Sequence, residues 1–224
     1  MFESKWGIVG IAGVFFFAFA MLSNVLVPIA MYWEMPEKSV AELVNPAVMY
    51  HFEDLSERYP EPFKEAFGEP SKENCAQAML LGRHIYVAEG CWHCHSQFVR
   101  PVSNETKRWG PVSESEEYQN ELQRPVMFGT RRVGPDLSHE GGRRSNDWHA
   151  VHFFKPQMVS AESPMPRYPW LYGIDPETNQ SSPNYPTKRG LALITYVQWL
   201  GSNNKTYPYY EDYKDYRKPG ATDN

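Results

Sequence analysis

Residues Gly90–Pro101 read GCWHCHSQFVRP, and the reading of this stretch decides the fold. Cys91 and Cys94 stand three apart, and His95 follows directly. Three chemistries use such a cluster. A structural zinc site takes four ligands, normally with a second Cys or His pair at knuckle spacing. No second knuckle exists, and the third cysteine, Cys75, is isolated. A redox dithiol normally sits in a βαβ setting, whereas here the motif follows a helical pattern with no strand alternation around it. The third chemistry is C-x-x-C-H, the attachment signature of c-type haem. Its spacing lets two thiols reach one porphyrin edge while the imidazole reaches the centre. The expected cofactor is one covalently bound haem c. Cys91 and Cys94 would form thioethers, and His95 would be the proximal iron ligand. His93 is expected to point outward, and His84, His139, His149 and His152 to serve surface or packing roles.

The distal ligand comes from later in the chain. Haem iron in electron carriers takes Met or His opposite the proximal His. The candidates are Met127, Met158 and Met165. Met165 lies between Pro164 and Pro166 in ESPMPRYPW, and those prolines hold the backbone extended. It is the expected ligand, with Met158 next. A second landmark is RRVGPDL, residues 131–137. Around Pro135 a stiff turn is expected, whose carbonyls would accept the free ring proton of His95 and make the imidazole a better donor. Arg131, Arg132, Arg143 and Arg144 are candidate haem-propionate partners, Arg132 foremost.

Around this site the pattern is helical. Ala78, Leu81, Ile85 and Ala88 fall on one face of a helix that Gly90 ends. A short helix is expected over DWHAVHFF, stopped by Pro156. Thr187 caps a last helix that buries Leu193, Tyr196, Val197 and Leu200, with Gly201 at its end. The region 96–144 is loop, so the apolar content is thin and a large buried cofactor would complete the core.

The first thirty residues are different. No residue between Lys5 and Glu34 is charged. Roughly 20 apolar residues suffice to cross about 30 Å of hydrocarbon, and Trp6, Tyr32 and Trp33 fit the interfaces. The run is longer than a signal-peptide core and has no small-x-small cleavage site, so a retained anchor is expected. Gly7, Gly10, Gly13, Asn24 and Pro28 suggest helix–helix contact. Residues 34–74 carry ten acidic and four basic side chains and read as short helical turns laid over a surface, a solvated connector with some structure. A net charge of -5 excludes a typical nucleic-acid binder.

The phrases GRHIYVAEGCWHCHSQFVRP, ETKRWG, FGTRRVGPDLSHEGGRRSNDWHAVHFFKPQMV and ESPMPRYPWL together resemble the monohaem membrane-anchored subunit, subunit II, of cbb3-type cytochrome c oxidases. The resemblance implies an all-α fold: one N-terminal transmembrane helix, then a periplasmic, class I-like cytochrome c domain with long loops. It implies the axial pair His95 and Met165, and electron relay toward the haem–copper catalytic subunit that reduces oxygen and pumps protons. The implied partners are that subunit, other cytochrome c subunits, a soluble cytochrome c donor and lipid. The implied location is the bacterial inner membrane. The expected organisation is 1–5 cytoplasmic, 6–33 transmembrane, 34–74 connector, 75–204 cytochrome domain and 205–224 tyrosine-rich tail. The segment 173–189 reads as an insertion. The alternatives are the haem c subunit of a nitric oxide reductase and a free-standing anchored shuttle.

Overall fold

The computed structural model describes residues 4–203; the tyrosine-rich tail lies outside the described residues. The chain divides into two units, Met1–Glu37 and Lys38–Asn224.

The first unit is the apolar helix α1, Lys5–Tyr32. Its length and composition fit a single-pass membrane anchor. It is not uniformly α-helical. Leu22–Leu26 forms a wide π turn just before Pro28, and the Val27 N–H reaches back to the Leu22 carbonyl. The proline ring would otherwise press on the carbonyl four residues earlier, at Asn24. The side chains of this turn are satisfied within the helix. Ser23 Oγ donates to the Phe19 carbonyl (2.8 Å) and Asn24 Nδ2 to the Ala20 carbonyl (3.1 Å). The Asn24 amide therefore has a partner without a neighbouring protein.

The second unit begins earlier than the sequence suggested. Residues 38–74 are not a solvated connector. They form α2 (Val40–Leu43), α3 (Pro46–Arg58) and α4 (Pro60–Phe67). A capping box starts α2, in which the Ser39 N–H donates to Glu42 Oε2 at 2.8 Å. The Asn45 side chain caps α3 by accepting from the Val48 N–H, and prolines occupy the first turns of α3 and α4. Glu42, Glu57, Glu61 and Glu65 are exposed, while Val40, Leu43, Val48, Phe52, Leu55, Tyr59, Phe63 and Phe67 enter the common core. Polar contacts join α3 to α8 (Asn146–Phe154). Asn146 Nδ2 donates to the His51 carbonyl and Asp54 (2.8 Å each), Tyr59 Oη donates to Asp147 (2.9 Å), and Arg58 pairs with Asp147.

The centre of the unit is the crossing of α5 (Lys72–Ala88) and α9 (Lys188–Trp199). Ser71 caps α5 and Thr187 caps α9. The helices meet at Gly82. A Cβ there would strike the Ala192 carbonyl and lie 2.6 Å from Tyr196 Cβ. This glycine rotates the buried stripe of α5 relative to the expected one. Cys75, Ala78, Met79, Gly82, Ile85 and Tyr86 are buried, whereas Leu81 is half-buried and Ala88 exposed. Helix α9 is enclosed on every side, and each residue from Gly190 to Trp199 is buried.

The described residues are mostly helical. The exception falls in the expected insertion, where β1 (Tyr172–Asp175) and β2 (Gln180–Pro186) pair antiparallel. Asp175 Oδ1 accepts from the Glu177 N–H in the turn (2.8 Å), and Asn179 takes a positive φ of 53°.

Candidate functional site

The cysteine motif is a single helical turn, α6 (Cys91–Cys94), entered through Gly90 in the left-handed region. Both cysteines are half-buried free thiols. Burial, with Glu89 nearby, pushes the Cys91 thiol up to about 12. A redox dithiol needs the opposite, a thiol made acidic by its surroundings. His93 is exposed, stacks on Trp92 and has its Nδ1 3.1 Å from Thr130 Oγ1.

Residues 131–137 run alongside this turn and bond to it repeatedly. The N–H groups of Arg131, Gly134 and Leu137 donate to the carbonyls of His93, Cys94 and Ser96 at 2.8–2.9 Å. Between these bonds, His95 Nδ1 lies 2.9 Å from the Pro135 carbonyl. A carbonyl only accepts, so Nδ1 carries the proton and Nε2 keeps its lone pair. Burial lowers the His95 pKa and favours the neutral ring. Gly134 makes room for the ring, since a Cβ there would collide with it, lying 2.7 Å from both ring nitrogens.

Below the ring lies a polar network. The Asp136 carboxylate is buried and accepts from Ser96 Oγ (2.5 Å), the Phe98 N–H (2.9 Å) and the Ser138 N–H (2.8 Å). Gln97 joins the network to the helix crossing. Its N–H donates to the Met127 carbonyl (2.7 Å), and its Oε1 accepts from Tyr196 Oη (3.1 Å).

Arg132 is engaged by protein groups. It donates from Nη1 and Nη2 to Glu105 (2.6 and 3.0 Å) and from Nε to Ser96 Oγ (2.7 Å). Its Cζ sits 4.7 Å above the Trp109 ring. Buried Glu105 needs a counter-charge, and Arg132 supplies it. Arg100 adds a second, with Nη2 2.6 Å from Glu105 Oε1. Bonds from Arg132 and Arg100 hold the Glu105 carboxyl at about 2. Sequence reasoning gave Glu105, Asp136 and Ser96 no role. Their one signal was their place in the quoted phrases: Glu105 in ETKRWG, Asp136 in RRVGPDL and Ser96 in GCWHCHSQFVRP.

Of the methionine candidates, Met127 is buried in the core and Met158 exposed. Met165 is half-buried and packs against the core. Its loop is held by Gln157, whose Nε2 donates to the carbonyls of Ser163 (2.9 Å) and Met165 (3.2 Å). Helix α8 supplies two buried ring nitrogens with no hydrogen-bond partner, His149 Nε2 and His152 Nδ1. Burial, then neighbouring positive groups that include Arg144, lowers His149 to about 3 and His152 to about 4.

Two thiols, an imidazole with a free Nε2 and a glycine-made space around the ring suit a large prosthetic group. No individual curated protein matches the chain. A family model does, described as the mono-haem subunit of cytochrome c oxidase, FixO, over residues 71–197. That match covers more than half of the sequence and includes α5, the cysteine motif, the 131–137 turn, Met165 and most of α9. The chain therefore belongs to the FixO family, the mono-haem cytochrome c subunits of cbb3-type oxidases, and its cofactor is haem.

Proposed function

We propose that this chain is a membrane-anchored one-electron carrier that delivers electrons to the oxygen-reducing subunit of its complex. Haem, when bound, supplies a one-electron couple. Cys91 and Cys94 would hold it covalently, His95 would offer Nε2 to the iron, and Met165 would offer its thioether from the opposite side. The carrying observation is the 2.9 Å contact between His95 Nδ1 and the Pro135 carbonyl. It assigns the tautomer and leaves Nε2 as the lone-pair donor. Thioether ligation favours reduced iron and raises the potential, as suits a relay toward oxygen. With His95 and Met165 both holding the iron, the subunit would carry electrons and leave substrate chemistry to its catalytic partner.

The membrane arrangement follows from the attachment chemistry. Haem c is joined to protein outside the bacterial cytoplasmic membrane, so residues from Glu34 onward would be periplasmic and the N-terminus cytoplasmic. The proposed neighbours are the haem–copper catalytic subunit, other cytochrome c subunits, a soluble cytochrome c donor and lipid.

The experiment is spectroscopic. Denatured protein should keep its haem and give a c-type pyridine haemochrome. Met165→Leu should keep the haem attached, lower the potential and abolish the near-infrared charge-transfer band of the oxidised protein. Haem extracted by acid acetone would refute covalent attachment. A surviving band would move the ligand to Met158. Purification in mild detergent should bring down an oxygen-reducing complex, and one that reduced only nitric oxide would overturn the oxidase reading.

A further inference from the structure

The motif explains how haem is attached. It does not explain why a buried carboxylate and two arginines stand behind the proximal turn. Glu105 lies on the short helix α7 (Glu105–Trp109), ten residues after His95 in sequence. It binds Arg132 through two parallel N–H bonds and accepts from the Arg100 N–H (2.9 Å), Nε (2.9 Å) and Nη2 (2.6 Å). Paired N–H bonds between a guanidinium and a carboxylate fix orientation as well as distance. Arg132 needs such a hold. Its φ is 51°, in the left-handed region that a residue with a Cβ avoids. Three residues later comes the Pro135 carbonyl that accepts from His95.

We propose that Glu105 is a positioning residue for the His95 imidazole. Its pairing with Arg132 holds the 131–137 turn so that the Pro135 carbonyl stays on Nδ1–H. This rests on His95 being the proximal ligand. The link is direct at every step. Glu105 fixes the guanidinium, and the guanidinium bonds Ser96, the residue after His95. Ser96 Oγ in turn donates to Asp136, the residue after Pro135. Releasing Arg132 lets its backbone leave the left-handed region, and the Pro135 carbonyl then withdraws from the ring. The bonds from Gly134 and Leu137 to the motif remain, so the turn loosens without unfolding.

The test uses the full haem-loaded chain in detergent, with two variants. Glu105→Gln removes the charge. Arg132→Lys keeps the charge but removes the planar fork. Both should speed exchange of the His95 ring N–H with deuterium, read by NMR, by about tenfold or more, as the loss of a hydrogen bond to a charged group implies. Both should raise the reduction potential, because a weaker Nδ1–H bond makes the imidazole a poorer donor. If Glu105→Gln does not accumulate, Arg132→Lys decides alone. Wild-type exchange and potential in Arg132→Lys would overturn the proposal. A raised potential confined to Glu105→Gln, with unchanged exchange, would show a charge effect only and would equally overturn it. A wild-type chain lacking covalent haem would refute the functional reading first, and this inference with it.

Discussion

Phe52→Ala tests whether residues 38–74 belong to the domain core. Phe52 is fully buried, with its ring edge-on to Phe63 (centroids 4.8 Å apart) and Phe67 (5.7 Å). Truncating a buried Phe costs about 3–5 kcal/mol, through lost transfer free energy and the cavity left behind. Two edge-to-face pairs disappear with it, each worth roughly 0.5–1.5 kcal/mol. These losses put the change at no less than the middle of the range, about 4 kcal/mol. For a domain of this size each kcal/mol lowers Tm by roughly 2–4 °C, so the midpoint should fall by about 8–16 °C. The assay is thermal unfolding of the full haem-loaded chain in detergent, followed by circular dichroism. Lys64→Ala, on the exposed side of α4, is the control, expected within about 0.5 kcal/mol of wild type. A Phe52→Ala midpoint matching the control would refute the reasoning and return the segment to a solvated connector.

Other outcomes follow from particular contacts. Gly82→Ala gains roughly 1 kcal/mol of helix propensity, but its Cβ meets Ala192 and Tyr196 across the crossing. Net destabilisation of about 1–2 kcal/mol is expected, measured in the same melt, and a stabilised variant would mean the helices separate freely. Gly134→Ala should push the His95 ring from its place and convert part of the haem-loaded protein from low to high spin, read by its absorption spectrum. Acid should weaken the fold in two windows. His149 and His152 have folded values below the usual 6.5, so the unfolded chain takes up the proton first. Their contribution is complete above pH 6.5 and is lost as pH falls to about 3–4. Glu105 is held at about 2 by its arginines. Its contribution is complete above the ordinary 4.5 and is lost as pH falls toward 2. Denaturant midpoints against pH should show the upper window flattened in His149→Phe and the lower one in Glu105→Gln.

Local and compositional features are legible in the amino-acid order alone. Cys91 and Cys94 share one helical turn and His95 follows it directly, so their spacing can be read without knowledge of the rest of the chain. An uninterrupted apolar run long enough for a bilayer is equally legible, and α1 follows it. The prolines around Met165 marked its loop, and Pro135 marked the turn beside His95, because a fixed φ is a property of the residue itself. The remaining features arise where distant segments pack together. The acidic segment 38–74 hid a buried face because its charges outnumber its core residues in composition, although they point the other way. The crossing at Gly82 has no hydrophobic signature, since what matters there is a missing Cβ. Arg132 reads in sequence as one of several loop arginines. Its place behind the proximal turn depends on Glu105, brought to it by folding, because a buried carboxylate and a guanidinium must find each other to leave water.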